Sequence, residues 1–168
     1  MTIYARQVLG DCKAGLQDLT DDISGSEWRR KWVACVALLR AVGHVLDKVD
    51  RNVTTAMNSV IQEEWRRFKN DTIFKDFIEQ ERNNILKQYK FGAGQGVTIQ
   101  VGTLKQTPIG QGGNAVSGVE ASTPTASFNT YLMNTGPYSK ADPRDIVKLA
   151  IAWWEQQLDE IDKRASSP

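Results

Sequence analysis

The sequence predicts a mainly α-helical, up-and-down bundle of about five helices, and three observations predict it. Apolar residues recur at alternating steps of three and four over most of the chain, the spacing that gathers them on one helical face. The 168 residues are 40% hydrophobic and 24% charged, the balance of an ordinary globular protein with one buried core. Nine of the thirteen glycines and four of the five prolines fall between residues 92 and 143, so the helix breakers collect in one insertion, about 92–140, ahead of the last helix. A single domain, 1–168, is expected.

Taken in order, Tyr4, Val8, Cys12, Leu16, Leu19 and Ile23 share one face and predict a first helix from Ile3 to Ile23. Ser24 and Glu27 then stand at capping-box spacing and start a second helix. Its stripe, Trp28, Trp32, Cys35, Leu39, Val42, Leu46 and Val49, steps by four and three without a fault. The same phase runs on through Val53, Ala56 and Val60. A break near residues 50–55 is still expected, because Asp50 and Asn52 cap well and Val53, Thr54 and Thr55 are poor helix formers. A further helix follows to Phe68, and another spans Thr72 to about Tyr89 after the polar "KNDT".

Within the insertion, "VTIQV" alternates like a short strand, with "AVSGVEAS" as its candidate partner in a β-hairpin. The last helix has Asp142 as cap, Pro143 in its first turn and Asp145 near its positive end. Val147, Ile151, Trp154, Leu158 and Ile161 form its stripe, and Ile146, Leu149 and Trp153 widen it toward a second neighbour.

Composition excludes several functions. Lys and Arg total 21 against 20 acidic residues, so any site for a polyanion must be local. No secretory leader and no run of about 18 apolar residues is present, and a cytoplasmic location without membrane attachment is expected. One histidine and two cysteines, with no CxxC or HExxH spacing, argue against a zinc site, so no metal and no cofactor is expected; a site built of carboxylates alone is left open. Cys12 and Cys35 both fall on apolar stripes and read as reduced core residues. "FGAGQG" and "GQGG" lack the flanking strand, helix and GK[ST] of phosphate-cradling loops and read as turns. The pairs Trp28/Trp32 and Trp153/Trp154 read as core or dimer-interface material.

Arg82 is the residue that breaks a pattern. At about 100° per residue it shares a side with Ile78, Ile85, Leu86 and Tyr89, and so is expected to point toward the bundle. A buried guanidinium needs a carboxylate, a carbonyl edge or an anionic ligand. Arg40, His44, Asp47, Lys48 and Arg51 lie opposite the second helix's apolar stripe, where His44 reads as a solvated residue.

The stretch "ERNNILKQY" resembles the signature of the HEPN superfamily, the higher eukaryote and prokaryote nucleotide-binding domains: arginine, a polar residue, three more, histidine, any residue, tyrosine. Arg82, Asn83 and Tyr89 match in place, while Lys87 stands where the family has histidine. The resemblance covers one helix, with the bundle pattern around it. It implies a homodimer in which two such helices face each other and, in active members, metal-independent RNA cleavage. There the arginine fork holds the phosphate and the histidine moves the 2′-hydroxyl proton. An ammonium near pH 7 is a donor and not a base, so Lys87 reads as a second phosphate-binding cation or a solvated lysine. In some relatives the tyrosine accepts a nucleotide from a partner enzyme, which would give Tyr89 a regulatory role.

The expectation is therefore a HEPN-like, catalytically degenerate module that is not an enzyme. It would bind nucleotide or RNA phosphate at a dimer seam through Arg82, with Asn83, Lys87 and Tyr89 beside it. Two alternatives stand: an active metal-independent endoribonuclease, and a structural or protein-interaction bundle in which Arg82 is an ion pair.

Overall fold

The structure is a computed structural model and describes residues 1–102 and 124–166. Five α-helices and one two-stranded antiparallel hairpin account for it, with the hairpin ahead of the last helix as expected. Helix α1 is Ile3–Gln17, α2 Gly25–Lys48, α3 Thr55–Phe68, α4 Gln80–Gln88 and α5 Pro143–Ser166. A π-helical segment, Ile73–Glu79, runs straight into α4. The strands are β1, Ala93–Gly102, and β2, Pro124–Met133.

Helix α1 stops at Gln17, short of the expected Ile23, with Asp18 closing it. The run after it, "DLTDDI", is rich in residues whose short polar side chains compete for the backbone. The N-terminal N–H groups of α1 are satisfied from far along the chain. Asp50 accepts from the N–H of Tyr4 at 3.1 Å and of Ala5 at 2.8 Å, and Asp162 accepts from the N–H of Thr2 at 2.7 Å. The α2–α3 break falls where it was expected. A short 3₁₀ turn, Asp50–Asn52, separates the helices, and Thr54 Oγ1 caps α3 by accepting from Met57 N–H at 3.1 Å. Ser24 likewise caps α2 through Glu27 N–H.

The stripe of α2 is the spine of the core. Trp28, Trp32, Cys35, Leu39, Val42 and Leu46 are all buried, and only Val49 at its end is exposed. Cys12 of α1 meets Cys35 across the α1–α2 interface with the sulfurs 3.8 Å apart, and both cysteines are free. Trp154 of α5 donates to the Leu39 carbonyl at 2.9 Å, and Trp153 donates to Asp71 at 3.0 Å. The tryptophans of α2 and α5 are thus packing residues. Leu149 alone of the widened α5 stripe faces solvent.

The hairpin differs from the expected one. β1 begins at Ala93 and takes in Gly94 and Gly96, which "FGAGQG" placed in turns, and it pairs with β2 in the register Ala93↔Met133. Glycine leaves room inside the strand for side chains of the partner segment that lie across it. A Cβ on Gly94 would lie 2.4 Å from Asn134 Nδ2, and one on Gly96 would lie 3.1 Å from Thr130 Oγ1. "AVSGVEAS" and "GQGG" lie outside the described residues. The root of the hairpin is core: Ala93, Tyr131 and Met133 are buried, and the Tyr131 ring stacks on Trp28 with centroids 3.9 Å apart. Among the described residues no helix is long and apolar enough to cross a membrane.

Candidate functional site

Helix α4 and its π-helical approach present two faces. The inner one is Phe74, Ile78, Glu81 and Ile85, spaced by four, three and four, with Ile73 and Phe77 beside them. The inward charge is therefore Glu81 and not Arg82. Glu81 is 4% exposed, and its carboxylate accepts from Trp32 Nε1 at 3.0 Å and from Gly92 N–H at 2.9 Å. Burial raises its pKa above the ordinary carboxylate value, against the pull of Trp32 and the backbone N–H groups of Gly92 and Ala93. The carboxylate ties α2, α4 and the root of β1 together.

Arg82 lies one step round, only partly buried, on a flank whose other members, Leu86 and Tyr89, are 54% and 75% exposed. Of the expected inward stripe, Ile78 and Ile85 are buried as expected, while Arg82 is only partly buried and Leu86 and Tyr89 face outward. The guanidinium donates from Nη1 to Asn83 Oδ1 at 3.0 Å. Among the described residues no carboxylate stands within ion-pair distance of it. Lys87 is exposed and Tyr89 closes the helix in the left-handed region at φ 53°, its ring edge-on to Phe91. Neither is hydrogen-bonded to Arg82 among the described residues. Of the four expected site residues, Arg82 and Asn83 are joined; Lys87 and Tyr89 share the helix end only.

What joins Arg82 instead comes from α2. Arg40 and His44, placed by sequence on a solvated face, lie within electrostatic reach of it. The Arg40 side chain is 12% exposed, and its nearest acid is Glu79 at 3.8 Å. Its guanidinium carbon sits 5.6 Å from the Trp65 ring centroid and 5.4 Å from that of Phe74. Its Nη1 is buried and meets no hydrogen-bond acceptor among the described residues. Desolvation, opposed by Glu79 and reinforced by Arg82, lowers the Arg40 pKa from its usual value.

His44 is exposed at the rim of this group. Partial desolvation first, then Arg40 and Arg82, hold its pKa below the ordinary 6.5, with Asp47 opposing. The imidazole is accordingly neutral near pH 7. Because the unfolded chain binds this proton more readily, His44 lowers stability as pH falls from about 6.5 through its folded pKa. As His44 is the single histidine, proton NMR titration reads it without ambiguity. A midpoint below 6.5 is expected, moving upward in Arg82→Gln; an unchanged midpoint would show that the two groups do not interact.

Two clefts open elsewhere. One of about 460 Å³ is lined by Leu19, Asp21, Asp142 and Arg144, and one of about 260 Å³ by Arg51, Thr54 and Asn58. Neither includes Arg82. In the larger, Arg144 is already held by Asp142 at 2.6 Å and Asp21 at 2.7 Å. Among the described residues no three His, Cys, Asp or Glu side chains gather as a metal site. The cluster sequence reasoning missed, Arg40 with His44 and Arg82, joins two helices; the weak signal for it was the two basic residues four apart on α2.

The fold and the cluster together define a helical bundle with a basic group, only loosely paired with Glu79, where α2 meets α4. No protein-family model, curated protein or solved structure matches the chain.

Proposed function

We propose that the chain is a HEPN-like, catalytically degenerate module that pairs with a second copy along α4 and binds the phosphate of a nucleotide or RNA there. The observation that carries this reading is that Arg82 has no carboxylate partner among the described residues while standing in the field of Arg40. Two guanidinium groups that share only the loosely held Glu79 among the described residues favour an anion. Leu86 and Tyr89, exposed on the same flank, support a second copy as the surface that meets α4. Asn83 orients the guanidinium. Lys87, on the exposed end of the helix, adds a phosphate-binding cation.

Calorimetric titration with adenosine monophosphate and with a short RNA tests the reading. Binding that weakens at least tenfold in Arg82→Ala, at unchanged melting temperature, is expected. Failure of the native chain to bind either probe would overturn it. Loss of stability in Arg82→Ala with ligand affinity unaltered would favour the purely structural or protein-interaction bundle.

One observation favours a second reading, the metal-independent endoribonuclease. A neutral imidazole beside an arginine is able to accept the 2′-hydroxyl proton while the guanidinium stabilises charge on phosphorus-bound oxygens, so His44 would fill the role that Lys87 cannot. RNA cleavage in the presence of a chelator, lost in both His44→Ala and Arg82→Ala, would displace the degenerate reading.

A further inference from the structure

Arg40 is in an unfavourable setting for a structural arginine. Its side chain is almost enclosed and lies over Trp65 and Phe74; among the described residues Nη1 has no acceptor and Nη2 has one loose carboxylate in ion-pair reach, Glu79 at 3.8 Å. Glu79 is itself 41% exposed, able to swing into water. The Arg82 guanidinium adds like-charge repulsion from α4, held in place by Asn83. An arrangement of two arginines against one detachable acid is relieved by an anion carrying more than one charge.

We infer that Arg40 and Arg82 are the two arms of a clamp for a terminal phosphoryl group, the 5′- or 3′-phosphate of a nucleotide or of an RNA end, and that Glu79 is the internal anion this group displaces. The inference rests on the phosphate-binding reading above and narrows its ligand. Charge is one ground: a phosphomonoester carries about −1.5 to −2 near pH 7, against a single charge on a chain-internal phosphodiester. Access is the other. The Arg40 side chain is 12% exposed beside the Trp65 and Phe74 rings, a setting that a phosphoryl group with one ester arm would enter more readily than a phosphodiester flanked by sugars on both sides.

The test compares one four-nucleotide RNA with and without a 5′-phosphate, and inorganic phosphate as competitor, by calorimetry on the full chain. The phosphorylated oligonucleotide is expected to bind at least tenfold more tightly than its 5′-hydroxyl form, and inorganic phosphate to compete with it. Arg40→Met, which keeps an apolar stem over Trp65 and Phe74, should erase that preference. Glu79→Gln, a substitution at a half-exposed position, should tighten the phosphorylated form about threefold. Equal binding of the two oligonucleotides, or weaker binding in Glu79→Gln, would overturn the clamp while leaving Arg82-dependent phosphate binding intact. Absence of binding by both oligonucleotides would overturn the clamp together with the reading beneath it.

Discussion

Replacing Glu81 with alanine is expected to destabilise the chain by about 3–4 kcal/mol, because it strands two buried donors at once. Trp32 Nε1 and Gly92 N–H both rely on this carboxylate, and both lie where water does not reach. Glu81→Gln should cost less, about 1–2 kcal/mol: one oxygen still serves Trp32 and Gly92, while the amide nitrogen turns a donor toward the Gly92 and Ala93 N–H groups. The pH response separates the two further. Since the folded-state pKa of Glu81 is raised, the native chain binds more protons than the unfolded chain between the unperturbed value of 4.5 and the raised one. Native stability should therefore fall as pH rises through that window, a slope that Glu81→Gln lacks. Urea denaturation at several pH values measures both effects. Equal stability of the alanine variant and the native chain would show that the carboxylate is not the knot described above.

The second large effect is expected at Gly43, buried in the last two turns of α2. A Cβ there would lie 3.0 Å from Trp65 Cη2 and 3.1 Å from Trp154 Cη2, so the helix backbone rests directly on two indoles. Gly43→Leu should cost about 3 kcal/mol through forced displacement of rings packed on both α3 and α5. Gly43→Ala should be near neutral, since a gain of about 1 kcal/mol in helix propensity offsets a tight but tolerable overlap. A shift in urea midpoint with unchanged slope is the readout. Were leucine tolerated as well as alanine, the close approach of α2 to the indoles would be disproved.

The periodic stripes of α2 and α5 could be read directly because their residues obey one rule, apolar side chains at steps of three and four, and the structure buries nearly all of them. Capping residues were equally legible at Ser24 and Asp142, where a short polar side chain meets the first free N–H groups. Glu81 was not. Its position in the sequence Phe74, Ile78, Glu81, Ile85 is that of a core residue, but a charge at that position reads as solvated until Trp32 and Gly92 are known to face it. Leu86 and Tyr89, grouped with Ile78 and Ile85 as one apolar side, shift the inferred face by one step and make Arg82 the inward residue. The glycines of β1 misled for a similar reason: what they accommodate, Asn134 and Thr130, lies some forty residues away. Arg40 and His44 lie on α2 and Arg82 on α4, and no periodicity within either helix records that the two are neighbours.

The root of the hairpin has a consequence for anyone reshaping this chain. Ala93, Tyr131 and Met133 fill space beside Trp28, and the peptide at Gly92 is anchored on Glu81. Trimming the whole glycine-rich stretch back to the helices would excavate the hydrophobic interior. A shorter loop spliced in after Gly96 and before Thr130, both of them exposed, would leave that first rung seated and the helices undisturbed.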